Sequence, residues 1–216
     1  MREGSKGRCV VNRRRSALWA LAIVLVITMY AARLYVVNST AECVPKETYG
    51  IGEWLKPRDG YLVDDVIEDL DGFSLKVDDA KIMTPNEYLS EYGHEGDTWD
   101  ADGDVPSVLA VTMTIKNEYN EEGGFEAWLW SAVPASQNCE YRFDDALYST
   151  ADDTGSVFRV GIGKQATRTF PFRLQAPGPY FTDSASWIYL EVADRTFRIN
   201  MTYRPVTRQF VFTVPE

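Results

Sequence analysis

The first feature of the hydrophobic pattern is an apolar run, Ala17 to Ala32, of sixteen residues without a charge. Continued to Val37 it reaches twenty-one residues, interrupted only by Arg33. At about 1.5 Å of rise per residue, such a helix spans roughly 31 Å, which matches the ~30 Å hydrocarbon core of a bilayer. The run therefore predicts a single transmembrane helix, with Arg33 close enough to its end to reach the interface.

Beyond residue 72 the pattern changes to an alternation of apolar and polar residues, which is typical of half-buried strands. Val108 to Asn117 shows it most clearly, with Leu109, Val111 and Met113 on one face. Seven other segments are predicted strands: Phe73–Ile82, Phe125–Val133, Ser156–Ile162, Thr167–Leu174, Ser186–Val192, Thr196–Tyr203 and Gln209–Val214. Asn138–Tyr148 is ambiguous between strand and loop. The pattern predicts a mainly β domain, a two-sheet sandwich of about eight or nine strands, with a barrel as the alternative.

One short helix is predicted after the first of these strands. Thr84 is placed as its N-cap, Pro85 at the first helical position and Glu87 three residues after the cap, which is the order of a capping box. Gly93 ends the helix after about two turns.

The charges before the apolar run predict the orientation of the chain. Six Lys and Arg residues precede the run, against the single acid Glu3, so the amino terminus is predicted to stay in the cytoplasm. The predicted plan is a basic cytoplasmic tail over residues 1–16, a transmembrane signal anchor over 17–37, a linker over 38–48 and an extracytoplasmic β-domain over 49–216.

A cleaved signal peptide is the alternative interpretation of this segment. Ser39 and Ala41 form a small-x-small site before Glu42, although the apolar run exceeds the usual 7–15 residues of a signal peptide. Lipid attachment at Cys43 is disfavoured, because the residue before it is Glu42 and such a site needs a small residue there.

The part of the chain beyond the anchor is more acidic than the chain as a whole. Past the anchor there are 15 basic and 31 acidic residues, a net charge of −16. Such a charge repels the phosphates of nucleic acid and of anionic lipid headgroups, so no nucleic-acid partner is predicted and docking onto an anionic lipid surface is disfavoured. The acidic surface is interpreted first as a means of staying soluble.

The cysteines divide in the same way. Cys9 lies on the reducing side of the membrane, whereas Cys43 and Cys139 form an even pair on the other side. A disulfide between Cys43 and Cys139 is therefore permitted, and two unpaired thiols are the alternative.

An acidic loop offers the one weak candidate for a metal site. Asp100, Asp102 and Asp104 have the spacing that begins an EF-hand calcium loop. An EF-hand also needs Gly at its sixth position and Glu at its twelfth, where this chain has Val105 and Val111. The loop is therefore interpreted as solvated, and no metal or cofactor is predicted.

Trp128 and Trp130 are the candidate binding face. They share one face of the predicted strand Phe125–Val133, and two neighbouring indoles expose more apolar area than a solvated strand normally carries. Either they are covered as part of the core, or they form a flat platform for a sugar ring or a protein partner.

The order of several features resembles a known type of bacterial domain. These features are Tyr49-x-x-Gly52-Glu53, the strand Phe73–Ile82, the strand that closes on Lys116-Asn117, and the late Phe-rich strand introduced by Gly163-Lys164. Together with the anchor they resemble the exported immunoglobulin-like domains of uncharacterised bacterial proteins grouped as domains of unknown function. The resemblance implies a sandwich on the outer side of the membrane, and no functional residue transfers with it. Because the strand Val108–Asn117 has no cysteine, the inter-sheet disulfide of true immunoglobulin domains is not expected.

Catalysis is not predicted. His94 is the single histidine, it lies in the acidic loop, and no nucleophile motif accompanies it. The predicted function is that of a membrane-anchored binding or structural module of the cell envelope, with the bilayer and an envelope protein or glycan as partners. The alternatives are a carbohydrate-binding module that uses exposed tryptophans and, less favoured, a hydrolase.

Overall fold

The structure is a computed structural model of the whole chain. It describes residues 6–40, 44–63, 69–99, 104, 106–122, 124–127, 129–135, 140–174 and 195–215. The chain divides into two compact units, Met1–Cys43 and Val44–Glu216.

The first unit contains a long helix, α1 (Lys6–Thr40). Within it, the 24 residues from Ser16 to Ser39 are apolar and long enough to cross a membrane. The predicted span, Ala17 to Val37, lies inside this segment. Its length, composition and position near the amino terminus fit either a membrane anchor or a signal segment.

The second unit is mainly β, as predicted, and two helices occur in its described part. The helices are α2 (Pro85–Tyr92) and α3 (Asp145–Ala151). The strands of the described residues are β1 (Lys46–Tyr49), β2 (Trp54–Leu55), β3 (Phe73–Met83), β4 (Val108–Asn117), β5 (Gly124–Glu126), β6 (Ser131–Pro134), β7 (Tyr141–Phe143), β8 (Val157–Arg159), β9 (Gln165–Leu174), β10 (Thr196–Thr202) and β11 (Thr207–Thr213).

Nine of these strands form one continuous sheet in the order β1-β11-β10-β6-β7-β9-β4-β3-β2, and β5 pairs with β8 separately. A flat sheet of nine strands would be about 40 Å wide, at ~4.8 Å per strand. Residues from β2 at one edge to β11 near the other nevertheless belong to the same buried cluster. The sheet therefore curls around this cluster, so the strands that the predicted sandwich divides between two sheets are connected in one.

Strand direction gives the curled sheet two ends. β3, β9 and β11 begin at one end, where β4 and β10 finish. The chain also joins β1 there, because Lys46 is paired in parallel with Thr207. We call this the linker-side end and the opposite one the far end.

The two edges of the sheet meet along a seam, which the chain closes at its linker-side half. β1 pairs with β11, the turn from Gly50 to Glu53 crosses the seam, and β2 pairs with β3. Gly52 needs a positive φ of 83° in that turn, and its N–H donates to the Val77 carbonyl at 2.8 Å. The Tyr49-x-x-Gly52-Glu53 motif therefore has a structural role as the crossing of the seam.

A helical layer covers the outside of β4 at the far end. Tyr88 and Leu89 of α2 and Leu147 of α3 are buried there with Val108 and Ala110 of β4. The capping box of α2 is confirmed, because Thr84 accepts from the Glu87 N–H and Glu87 accepts from the Thr84 N–H. α3 was not predicted, since seven residues are too few to show a helical period.

Three other predictions need correction or fall outside the described residues. The predicted strand Phe125–Val133 is two strands, β5 and β6, because the chain turns between Ala127 and Trp130, whose backbones share a hydrogen bond of 3.1 Å. The predicted linker, residues 38–48, overlaps β1 (Lys46–Tyr49), which was missed because a short strand at the sheet edge carries no apolar alternation. The predicted strand Ser186–Val192 lies outside the described residues.

Candidate binding surfaces at the two ends of the sheet

The predicted tryptophan platform does not form at Trp130. This side chain is only 3% exposed and packs edge-on against Phe170, with ring centroids 5.2 Å apart. Trp130 is drawn inward because the chain turns before β6 and points the indole at the core. Trp128 lies outside the described residues. Because Trp130 is buried, the two tryptophans do not form a pair of adjacent exposed indoles.

The remaining predicted sites lie largely outside the described residues, as Asp100, Asp102, Cys43 and Cys139 all do. Asp104 is described and accepts a hydrogen bond from the Asn86 side-chain amide at 3.1 Å. Within the described ranges, no group of three or more His, Cys, Asp and Glu residues could hold a metal ion. His94 is exposed, with Nε2 3.6 Å from Asp153 Oδ2.

A groove opens where the seam is not closed, in its far half. Its volume is about 520 Å³. One wall is the outer edge of β3 from Ala80 to Met83, and α2 contributes Glu87 and Glu91. The opposite wall is formed by residues such as Arg195 and Pro215, which flank β10 and β11. We call this the seam groove.

The β3 wall of the seam groove is a free sheet edge. β2 pairs with β3 only at Leu75 and Lys76, and among the described residues no strand continues that pairing past them. In an antiparallel ladder, every second residue directs its N–H and C=O away from the paired strand. The segment from Asp79 to Met83 therefore presents backbone groups to the groove, and the Ala80 N–H donates to Asp79 Oδ1 at 2.9 Å.

Lys81 and Glu91 form an ion pair across the groove wall. Lys81 Nζ lies 2.7 Å from Glu91 Oε1. This hydrogen bond lowers the pKa of the Glu91 carboxyl and raises the pKa of the Lys81 ammonium. The pair holds the one basic side chain of the free edge against α2.

A buried polar cluster joins the loops at the linker-side end. Asn117 and Asn120 are 0% and 4% exposed. The Asn117 amide donates to the carbonyls of Asn120 at 2.8 Å and Val160 at 2.7 Å, and its oxygen accepts from the Asn120 N–H at 2.7 Å. The Asn120 amide donates to the Asp71 carbonyl at 2.8 Å. This Asn117–Asn120 hub ties three loops into one rigid group.

A small polar cavity of about 170 Å³ lies between the two helices and β9. Tyr88 donates to the Thr169 carbonyl at 2.7 Å, and Tyr148 donates to Asp152 Oδ2 at 3.3 Å. Burial raises the pKa of the Tyr148 phenol to about 12 and raises the pKa of Tyr88 as well. Both phenols therefore remain protonated donors at neutral pH.

The comparisons with known proteins identify the family of the β-unit. Residues 46–208 match the family model described as "Domain of unknown function (DUF5028)". The chain belongs to this family. The match begins at the first residue of β1 and ends within β11, so the family domain is the curled sheet, without α1.

Two solved structures resemble this family member, both at low sequence identity. The secreted protein MPT63 from Mycobacterium tuberculosis is 17% identical, covers 80% of this chain and 99% of its own, and has a TM-score of 0.39. An uncharacterised β-sandwich protein from Clostridium difficile 630 is 11% identical, covers 80% of this chain and 97% of its own, and has a TM-score of 0.41. No curated protein matches the chain.

Two pairs of residues that carried the resemblance to exported bacterial domains meet at the hub. The Asn117 N–H donates to the Lys164 carbonyl at 3.0 Å, and the Gly163 N–H donates to the Asn117 carbonyl at 2.8 Å. Sequence reasoning used Lys116-Asn117 and Gly163-Lys164 only as markers of strand order. One signal of this buried hub was available in the sequence: Asn117 is a polar residue at the end of an otherwise apolar strand.

Proposed function

We propose that the chain is a membrane-anchored module of the cell envelope that binds a protein partner and carries out no catalysis. In this proposal α1 is retained as a signal anchor with its amino terminus in the cytoplasm, and the β-unit is an immunoglobulin-like sandwich on the outer side. The basic residues before the apolar span and the length of that span support the anchor.

The free edge of β3 carries the binding proposal. An extended peptide that lies in the seam groove would add a strand to β3, and its backbone would pair with the outward-facing backbone groups of Asp79–Met83 and displace Asp79 Oδ1 from the Ala80 N–H. At about 3.3 Å per residue the edge is roughly 16 Å long, enough to pair with about five residues. Sheet edges are usually protected. Here the bulge between Val77 and Asp79 and the charge of Lys81 would limit self-association while leaving the groove accessible.

Charge indicates the class of peptide. The connection from residue 84 to 107, which borders the groove through α2, has seven acidic and no Lys or Arg residues. Glu87 and Glu91 line the groove itself, together with Lys81 and Arg195, so the acidic excess comes from the rest of this connection. An extended segment with alternating basic and apolar residues would complement both the edge and this field. The partner we propose is therefore an envelope protein with such a basic segment.

Hydrogen exchange on the full chain in lipid nanodiscs tests the binding proposal. The ligand is a synthetic peptide with alternating Lys and Val, and a peptide with alternating Glu and Val is its control. We expect only the Lys peptide to slow amide exchange within Asp79–Met83, because strand addition pairs those groups. If the Lys peptide leaves that exchange unchanged, or if both peptides slow it equally, the proposal fails.

A pair of matched variants locates the interaction in the groove. Glu91→Gln removes a charge from the groove wall and should weaken the Lys peptide several-fold. Glu140→Gln removes a carboxylate from a comparable surface ion pair, with Arg142 at 3.3 Å, and should leave affinity unchanged. Equal weakening by both variants would mean that net charge alone attracts the peptide.

Thiol labelling in intact cells tests the anchor and its orientation. In a chain without natural cysteines, Glu95→Cys should react with a membrane-impermeant maleimide, while Lys6→Cys should react only after lysis. A mature chain that begins at Glu42 would show instead that the span is a cleaved signal segment.

A further inference from the structure

Arg195 is the cation of the seam groove that no described carboxylate neutralises. It lines the wall opposite α2, whereas the other base of the lining, Lys81, is held by Glu91 at 2.7 Å. Among the described residues, the half-buried Arg195 side chain forms neither an ion pair nor a hydrogen bond. A guanidinium with unused donors at the wall of a groove is suited to bind an anion.

The backbone of Arg195 is held in an unusual conformation. Its φ is 48°, in the left-handed region that residues other than glycine seldom adopt. The sheet maintains this conformation, because the Val214 N–H donates to the Arg195 carbonyl at 3.0 Å and the next residue, Thr196, pairs with Thr213. Such strained positions are concentrated at sites that bind ligands. The strain at Arg195 therefore supports a binding role for this side chain.

The charges of the groove lining permit an anion at Arg195. The described lining has two acidic and two basic side chains, so the groove itself is neutral. Both acids belong to α2 on the other wall, where Glu91 is paired with Lys81 and Glu87 accepts the Thr84 N–H at 2.8 Å. The Arg195 wall is therefore the one on which an anion gains an unshared positive charge.

A peptide in this groove carries a suitable anion only at its carboxyl end. Strand addition to β3 uses the backbone groups along the peptide, but its last residue bears a carboxylate in place of a further peptide group. Arg195 can bind both oxygens of a carboxylate through two parallel hydrogen bonds. An internal segment of alternating basic and apolar residues offers no such anion.

The position of Arg195 also determines the direction of the peptide. β3 reaches the far end at Met83, and Arg195 lies at the same end, directly before β10. A carboxylate at Arg195 therefore requires a peptide that runs parallel to β3. Its amino-terminal part then lies near the turn that crosses the seam, where the Gly52 N–H donates to the Val77 carbonyl. The edge between these points, roughly 16 Å long, accommodates about five residues.

We propose that the seam groove binds a carboxyl terminus. The last residues of the partner protein add to β3 in parallel, and Arg195 binds their terminal carboxylate. This inference rests on the proposed binding function and adds to it which part of the partner is bound and in which direction. Arg195 is then a specificity-determining residue, because it distinguishes a chain end from an internal segment of the same sequence.

Two forms of one peptide test this inference on the unmodified full chain in lipid nanodiscs. The peptide has alternating Lys and Val and ends either in a free carboxylate or in an amide. Hydrogen exchange within Asp79–Met83 is followed as each form is titrated. The free acid should protect this segment at a roughly tenfold lower concentration, because it gains charge-assisted hydrogen bonds. The net charge of the acidic β-unit favours the opposite order, since the amide form is the more positive.

The possible results separate this inference from the proposed function. If neither form protects Asp79–Met83, both proposals fail. If the two forms protect it equally, or if the amide protects it at the lower concentration, the carboxylate site is wrong and binding in the groove stands.

Matched variants locate the carboxylate. Arg195→Gln should abolish the tenfold preference while both forms still protect Asp79–Met83. Arg198→Gln removes an exposed base from β10 three residues later and should retain the preference. A preference that survives Arg195→Gln, or that Arg198→Gln abolishes as well, would overturn the assignment of Arg195.

Paramagnetic broadening tests the direction of the peptide. The free-acid peptide carries a nitroxide at its amino end, and the full chain carries isoleucine methyl labels. Ile51, in the turn that crosses the seam, should broaden more than Ile82, on β3 in the far half. Stronger broadening at Ile82 would mean that the peptide runs antiparallel to β3, with its carboxylate away from Arg195, and the proposal would fail.

Discussion

The two ends of the β-unit are stabilised by different interactions. At the far end, the long connection between β3 and β4 forms α2, and the large apolar side chains of α2 and α3 are buried against β4. At the linker-side end, the Asn117–Asn120 hub holds the loops after β4 and before β9 by buried hydrogen bonds. The far end is therefore stabilised by the burial of apolar groups, and the linker-side end by the burial of hydrogen-bonded amides.

This difference concerns the interactions that stabilise each end. At the far end, the helical layer gains free energy by covering the apolar outer face of β4. At the linker-side end, the buried amides of Asn117 and Asn120 find their partners within the loops, and burial strengthens these hydrogen bonds. The far end therefore depends on apolar contacts, and the linker-side end depends on a few directed hydrogen bonds.

Removing the hub should have the largest effect on this comparison. Asn117→Ala deletes three hydrogen bonds and leaves buried carbonyls without donors, so we expect a loss of about 3 kcal/mol in the free energy of unfolding. Denaturant unfolding measures the loss. Amide exchange in the loop that contains Ile162 should rise by more than exchange in α2.

Asn86→Ala is the matched change at the far end. Asn86 accepts from the Trp99 N–H at 2.8 Å and donates to Asp104, but it lies at the surface of α2. Its loss should cost less than ~1 kcal/mol, because water replaces the missing partners. Equal losses for the two variants would mean that the hub is no more than an ordinary surface turn.

Alkaline pH should weaken the far end first. Tyr148 is buried beside α2, and its pKa is raised to about 12, against 10.0 for an unperturbed phenol. Between those values the unfolded chain loses a proton that the folded chain keeps, so stability is complete below pH 10 and falls as pH rises toward 12. The expected fall is about 3 kcal/mol at most, from ~1.36 kcal/mol per pKa unit.

Tyr148→Phe separates this titration from other alkaline effects. The variant lacks the hydrogen bond to Asp152 but has no proton to lose, so its melting temperature should decline less steeply above pH 10 than that of the parent. Absorbance at 295 nm should show the missing phenol in the same range. Parallel declines in both proteins would show that Tyr148 does not carry the effect.

The far-end helix and the central strand could be predicted because local chemistry decides them. Thr84, Pro85 and Glu87 encode the start of α2 within four residues, and Val108–Asn117 alternates over ten. The break between β5 and β6 could not be predicted in the same way. Ala127, Leu129 and Trp130 place apolar residues on both faces, which favours a strand. The chain turns instead because Trp130 packs against Phe170, a residue that is distant in the sequence.

The linker-side end was the harder part to predict from sequence. Asn117, Asn120 and Lys164 look like residues of solvated turns, since nothing local shows that they meet and are buried. β1 could not be predicted for a related reason. Its four residues belong to a strand only because β11, some 160 positions later in the chain, lies beside them.

Loss of the α2 cap should have a moderate effect that stays at the far end. Thr84→Ala removes the acceptor for the Glu87 N–H, 3.0 Å away, and should lower the free energy of unfolding by about 1 kcal/mol. Exchange should increase in the first turn of α2 and remain unchanged in the loop that carries Ile162. Thr84→Ser retains the acceptor and should behave like the parent; a loss as large as that of Thr84→Ala would point to the methyl group instead.

Two ion pairs of similar geometry allow the finest comparison of the ends. Lys56 Nζ lies 2.8 Å from Glu118 at the linker-side end, and Lys81 Nζ lies 2.7 Å from Glu91 at the far end. Hydrogen bonds from the lysines lower the pKa of both carboxyls, so each contributes stability above pH 4.5 that is lost as pH falls through its lowered pKa. Exposed pairs contribute roughly 0–1 kcal/mol, and Lys56→Met and Lys81→Met should each cost that little.

Salt should distinguish these two pairs. At about 1 M salt the Debye length is ~3 Å, so a pair in open water loses most of its attraction. The Lys81–Glu91 pair should therefore lose its small contribution, and Lys81→Met should become neutral. The Glu118 side chain is 28% exposed, against 45% for Glu91, so salt should screen its pair less and Lys56→Met should keep part of its cost. Equal salt dependence of the two variants would mean that this difference in burial does not protect the Lys56–Glu118 pair.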